Sequence, residues 1–168
     1  TEAAGRYEPG HQMQVALCSG AKYVSVSVRE IARAKADAVR AFLDACRADD
    51  ITLQFILYDR DDAELLAATL SSEELQNPDL QLLFVLGRYG NIEAVPEDLD
   101  PFIDWMKEHN IDLDWAVCAF GRNEPRCLQK AVTLGGKCRT GFENSIHLAN
   151  GSVSADNAEK VRDLVAVQ

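Results

Sequence analysis

Residues 51–75 read ITLQFILYDRDDAELLAATLSSEEL. The first part, ITLQFILYD, is a near-continuous apolar run of strand length, the pattern of a strand covered on both faces. From Asp61 the pattern changes to an acidic first turn, which suits the positive end of a helix dipole, followed by a helix-length stretch. A buried strand running straight into a helix is half of a parallel βα repeat, and its neighbours decide whether it recurs.

It recurs on both sides. Upstream, KYVSVSVRE (22–30) alternates Val24, Val26 and Val28 with Ser25 and Ser27, which is strand periodicity. EIARAKADAVRAFLDACRADD (30–50) then places Arg33, Asp37, Arg40, Asp44 and Arg47 on one stripe and Ile31, Ala34, Ala38, Phe42 and Cys46 on the other. That is an amphipathic helix. Downstream, LQLLFVLG (80–87) is a buried strand, followed by PEDLDPFIDWMKEHN (96–110) with Pro101 suited to a first helical turn. LDWAVCAFG (113–121) leads into EPRCLQKAVTLGG (124–136), and KCRTGFE (137–143) into SADNAEKVRDLVAV (154–167), with Ser154 expected as its N-cap. Five βα units imply a parallel sheet.

EPGHQMQVALCSG (8–20) reads as a further helix, and TEA as the end of a strand before it. A (β/α)8 barrel takes about 250 residues, and this sequence has 168. Two architectures fit: an open doubly wound sheet, or the C-terminal part of a barrel. No linker or low-complexity segment marks a second domain.

Composition narrows the function classes. A hydrophobic content of 47% is enough for a core. The formal net charge of −10 argues against a general nucleic-acid binder, which needs clustered Lys and Arg to hold phosphates. There is no apolar run of transmembrane length and no signal-peptide pattern at the start, so a soluble, cytoplasmic protein without a membrane partner is expected. The five cysteines have no C-x-x-C pair or zinc-finger spacing and read as reduced, mostly buried thiols.

The strand ends carry the chemistry. Arg29 and Glu30 end the first complete strand, Gly87 and Arg88 the third, Gly121 and Arg122 the fourth, and the fifth bears Arg139 and Glu143. In parallel α/β folds these positions share the C-terminal rim where active sites form. A single arginine there reads as a salt bridge. Several together suit a carboxylate or phosphate ligand, because guanidinium makes permanent, bidentate contacts with such groups. Glu143, beside Gly141, is open to three roles: metal ligand, general base or ion-pair partner. The three histidines offer no H-x-H or H-x-x-x-H pair. His11 and His109 fall on helices, and His147 lies in a loop just past Glu143. Dinucleotide, P-loop and nucleophile-elbow motifs are absent.

The string LGGKCRTGFENSIHLANGSVSADNAEKV (134–161) resembles the C-terminal signature of the beta-keto acid cleavage enzymes, (β/α)8 proteins in which a GGHVRVGLEDN-like segment precedes a G-x-[hydrophobic]-x-x-x-N helix start. TEAAGRY, SVSVRE, QFILYD, LLFVLGRYG and FGRNEP extend the similarity along the chain. The resemblance implies that residues 1–168 are the C-terminal portion of one (β/α)8 TIM-barrel domain, from the end of the third strand through the eighth βα unit, with the first units outside it. It also implies that the intact protein is longer at its N-terminus.

The activity implied is condensation of a beta-keto acid with acetyl-CoA, giving acetoacetate and a new acyl-CoA, assisted by a divalent metal that is usually zinc. The implied partners are the keto acid, a coenzyme A thioester and further copies of the chain in a homo-oligomer. The resemblance puts a metal-ligand role on Glu143 and a catalytic, orienting role on Arg139. It aligns Thr1 with a threonine that contacts the substrate carboxylate and Gln54 with a position that reads the distal group. Arg29, Arg88 and Arg122 are the remaining substrate-binding candidates, drawn from the rim. Two features depart from the family pattern. The H-x-H metal ligands lie on a strand this chain does not contain, so the chain alone is expected to be inactive. Asn144 stands where the family often has an aspartate base, and an amide cannot take a proton; Asn144 remains a catalytic candidate by position. Lys137 and Cys138 also replace the usual His and Val. Two other readings stay open: another metal-assisted carbon–carbon lyase of aldolase type, and a non-catalytic half-barrel that binds an anionic ligand or a partner chain.

Overall fold

The computed structural model describes residues 5–88 and 92–166, so Thr1 and the TEA segment lie outside the described residues. In chain order the elements are α1 (Pro9–Cys18), β1 (Tyr23–Ser27), α2 (Val28–Ile31), α3 (Ala36–Ala48), β2 (Thr52–Leu57), α4 (Arg60–Thr69), α5 (Ser72–Leu75) and β3 (Gln81–Leu86). A 3-10 turn (Pro96–Leu99) follows, then α6 (Asp100–Glu108), β4 (Trp115–Ala119), α7 (Glu124–Thr133), β5 (Lys137–Cys138) and α8 (Asn157–Ala166). The strands form one sheet in the order β1-β2-β3-β4-β5. β1 and β2 run parallel with Tyr23 opposite Thr52 and Ser27 opposite Ile56; β4 and β5 run parallel with Val117 opposite Cys138. Strands that neighbour in sequence also neighbour in space, and parallel neighbours need the crossover connections that the helices supply. The architecture is therefore parallel α/β of partial (β/α)8 type, with the sheet open rather than closed among the described residues.

The chain falls into two compact units, Thr1–Leu82 with Ile111–Leu113, and Leu83–Asn110 with Asp114–Gln168. In the first, Val26, Phe55 and Leu57 of the strands are buried together with Met13, Ile31, Phe42 and Leu66 of the helices. The buried stripe of α3 runs through Val39, Phe42, Leu43 and Cys46, one position round from the Ala34 and Ala38 line the sequence pattern favours. The charged face is as expected: Arg40 and Arg47 both reach Glu74, and Arg47 also pairs with Asp44. In the second unit Phe84 stacks on Phe102 with centroids 4.4 Å apart and tilts against Trp115, while Val117, Leu128 and Ala131 are closed to solvent.

Four local features differ from the sequence reading. The helix expected over 30–50 is two helices, because Lys35 is extended (φ −63°, ψ 144°) and restarts the chain at Ala36; Arg29 and Glu30 thus sit in the helical turn α2, not at a strand end. The helix expected over 61–75 likewise divides, with Ser71 and Glu74 closing a capping box that starts α5. The fifth strand stops at Cys138. The Arg139 amide still donates to Val117 O at 2.8 Å, but the Asn144 and Ser145 amides then fold back onto Gly141 O, so Glu143 is on a turn. Finally, Asp156 rather than Ser154 caps α8, its Oδ1 accepting the Glu159 amide at 2.7 Å. The Ser154 hydroxyl is taken up by Asp156 O and the Glu159 carboxylate.

Among the described residues no helix is long and apolar enough to cross a membrane. All five cysteines are free thiols; Cys46, Cys118 and Cys127 are buried, Cys138 is half-buried and Cys18 is exposed.

Candidate functional site

The second unit holds the loop that runs from β5 to α8, with Arg139, Glu143 and Asn144 on its first turn. Three elements fix this loop. From the β4 end, the Gly121 amide donates to Asn144 O at 3.1 Å. Gly121 has φ +95°, a conformation that favours glycine, and an added Cβ would lie 2.8 Å from the Glu93 side chain. From α8, Asn157 Oδ1 accepts the Phe142 amide at 2.8 Å, so the asparagine of the quoted helix-start pattern grips the motif directly. From α7, Glu124 accepts the Thr140 hydroxyl at 2.8 Å.

Glu124 also receives the Lys160 ammonium, and Lys160 donates to His147 O at 2.8 Å. The two side chains are 1% and 2% exposed. Burial pushes the Glu124 carboxyl upward, and this prevails over the opposing hydrogen bonds from Lys160, Thr140 and the Gly141 amide.

Around these fixtures the motif presents different side chains to different surroundings. Arg139 and Glu143 are exposed and approach at 3.8 Å between Nη2 and Oε2. Asn144 is 7% exposed, and its Nδ2 is a buried donor with no hydrogen-bond partner among the described residues. His147 Nδ1 is also a buried polar atom without a hydrogen-bond partner among the described residues. A buried amide donor without an acceptor is costly unless something supplies one. Arg88 and Arg122 are exposed; Arg88 leaves β3 through a backbone bridge to Ile92, its amide donating to Ile92 O at 2.9 Å.

In the first unit Arg29 is held in a tight carboxylate cage. Its Nε donates to both oxygens of Asp62 at 2.8 and 2.9 Å, Nη2 reaches Asp59 at 2.6 Å, and the guanidinium lies 4.8 Å from the Tyr58 ring centre. Burial would lower its pKa, but the bonds to Asp62 and Asp59 outweigh that and raise it. Gln54 is half-buried in mid-β2, opposite Ser25, whose hydroxyl donates to Gln54 Oε1 at 3.0 Å.

Among the described residues no group of three or more His, Cys, Asp or Glu side chains is placed to hold a metal ion. Glu143 offers a single carboxylate, so these residues by themselves do not fit a divalent metal, which needs three or more protein donors in a catalytic zinc site.

Sequence reading did not single out Glu124 or Lys160, and it met Asn157 only as the asparagine of the helix-start pattern. A signal was there for the first two. Glu124 precedes Cys127, Leu128 and Ala131 at helical spacing, and Lys160 precedes Leu164, so each charge lies on an apolar stripe.

A parallel βα sheet whose final strand runs into a glycine-bounded turn of Arg, Glu and Asn defines a partial (β/α)8 protein with its polar motif after the last strand. The family model for beta-keto acid cleavage enzyme matches residues 2–168, and the chain belongs to that family. Among curated relatives, the 3-keto-5-aminohexanoate cleavage enzyme of Acetoanaerobium sticklandii is 28% identical over 109 residues, covering 65% of this chain and 38% of the relative. The 3-oxoadipate:acetyl-CoA acetyltransferase of Cupriavidus necator is 26% identical over 88 residues, covering 52% of this chain and 31% of the relative. The matches thus span well under half of each relative's length.

Proposed function

We propose that this chain is the C-terminal part of a (β/α)8 enzyme that exchanges acyl groups between a beta-keto acid and acetyl-CoA. In the proposed reaction R-CO-CH2-COO⁻ and acetyl-CoA give R-CO-S-CoA and acetoacetate, so every carbon and the thiol are accounted for. Both substrates are anionic, which gives exposed arginines such as Arg88, Arg122 and Arg139 a purpose on an otherwise acidic protein. Thr1, Gln54 and Arg29 keep the substrate-binding roles the resemblance and the rim assign them, Arg29 with two carboxylates already on its guanidinium.

The observation that carries the reading is the Asn144 amide, a buried donor without an acceptor on the family motif. In the proposed site it hydrogen-bonds an oxygen of the keto acid and stabilises the negative charge that develops there as the carbanion forms. Asn144 cannot remove the proton, so another group acts as base. Glu143 is proposed as one ligand of a divalent metal, with zinc the expected ion, whose other ligands come from outside the described residues. Such an ion, when bound, polarises a carbonyl.

The test is acetyl-CoA-dependent turnover of a panel of beta-keto acids, with metal content, for the complete (β/α)8 enzyme and three variants of it. Glu143→Gln is expected to lose metal and activity. Arg139→Lys is expected to keep metal and turn over more slowly, since the charge stays but the bidentate fork goes. Asn144→Asp is expected to lower turnover rather than raise it, because it replaces the proposed donor with a charged acceptor. Full activity in Glu143→Gln overturns the proposed site.

A further inference from the structure

The buried pair of Glu124 and Lys160 lies outside the set of residues given a role above. Its connections are specific. Glu124 binds Thr140 and the Gly141 amide; Lys160 binds His147 O. These three attachment points bracket Phe142–Ile146, the stretch that carries Glu143 and Asn144. Both partners belong to regular helices, α7 and α8, so the loop is held from two sides by rigid elements.

A pair like this is an odd way to gain stability. Removing two charges from water is expensive, and apolar side chains of similar volume often serve a core equally well. What the charges add is direction, since a carboxylate and an ammonium fix where their hydrogen-bond partners lie, whereas apolar packing lets a loop slide. The attachments all face the motif loop, which is where direction matters.

We propose that Glu124 and Lys160 are positioning residues of the motif loop, clamping Thr140 and His147 so that Glu143 and Asn144 are presented in one geometry. The kinetic part of this rests on the acyl-exchange reading above; the structural part does not. Neither residue touches substrate.

The experiment compares the unaltered protein with Glu124→Gln/Lys160→Met, which removes both charges while filling the space, and with Thr140→Val and Thr140→Ser. Amide hydrogen exchange reads the loop, with α6 as internal reference. The double variant and Thr140→Val are expected to lose roughly tenfold or more of the protection at residues 139–147 while α6 is unchanged. Thr140→Ser is expected to restore it. In turnover assays kcat falls by roughly ten- to a hundredfold with KM nearly unchanged, the size of effect produced when outer partners of site residues are removed. Loop protection unchanged in both disrupted variants overturns the proposal, as does a loosened loop with unaltered kcat. If the double variant fails to fold, the Thr140 pair decides. If the complete enzyme shows no acetyl-CoA-dependent turnover, the function fails and the exchange comparison alone decides the clamp.

Discussion

Gly136 lies against the indole of Trp115 so closely that an added Cβ would fall 2.3 Å from Cζ3. The ring is itself buried, packed beside Phe84, and has little room to retreat. Gly136→Ala is therefore expected to cost about 1–3 kcal/mol by overpacking. Gly135 differs: no atom lies near its Cβ position, but its φ is +89°. Gly135→Ala is expected to cost about 1 kcal/mol through backbone conformation alone. Urea unfolding followed by tryptophan fluorescence checks both, and Trp115 emission should change in the native state only for Gly136→Ala.

The double glycine before the fifth strand was legible in the sequence as punctuation; its packing partner was not. The same division holds elsewhere. Strand and helix order followed from periodicity in segments such as ITLQFILYD, because burial on both faces leaves an apolar run. The break at Lys35 and the early end of β5 at Cys138, beyond which the Asn144 and Ser145 amides fold back onto Gly141 O, have no local sequence pattern that encodes them. At the site, the position of Glu143 and Asn144 on a motif was readable. The unpartnered donor of Asn144 and the Glu124–Lys160 pair were not, since each depends on which side chains meet.

Arg29, proposed above as a substrate-binding residue, is also expected to contribute to folding through its two carboxylates. Asp62, its main partner, is 3% exposed and would lose most of its compensation in Arg29→Ala. The expected loss is about 2 kcal/mol, below the figure for a fully buried pair because the arginine side chain is itself 36% exposed. Arg29→Ala with Asp62→Asn should recover part of it. Chemical denaturation of the two variants measures this, and an unchanged midpoint in Arg29→Ala would show that the cage contributes nothing to folding.

Glu74 sets part of the acid sensitivity of the first unit. Burial alone would raise its pKa, but hydrogen bonds from Ser71, Arg40 and Arg47 bring it down to about 2. Because the folded value lies below the ordinary value of 4.5, the associated stability is fully present above about pH 4.5 and is lost as pH falls toward about 2. The gain is on the order of 1 kcal/mol after solvent screening. Glu74→Gln is expected to flatten the stability profile across that window and leave its shape above pH 5 unchanged. Melting temperature against pH for the two proteins is the measurement.

The thiols should separate cleanly by reactivity. Burial pushes Cys46 and Cys138 up to about 11 and Cys127 to about 12, each with some help from nearby carboxylates, so almost no thiolate forms on them near neutral pH. Cys18 is exposed on α1. A chromogenic disulfide reagent at pH 8 is expected to titrate Cys18 quickly and the remaining thiols only after denaturant is added. Rapid labelling of Cys127 in the native protein would mean that α7 opens locally.

The supports of the motif loop share one property: Gly121, Glu124, Asn157 and Lys160 all lie between residues 121 and 160, within one strand end, two helices and the loop itself. The chain separations across Thr140–Glu124, Phe142–Asn157 and Lys160–Glu124 are 16, 15 and 36 residues. Loop-closure entropy over such spans is modest, and contacts of short separation form early. The motif can thus acquire its shape soon after α8 meets α7, without waiting for the strands earlier in the chain. During synthesis, emergence of residues 121 to 160 alone brings every one of these supports within reach of the loop.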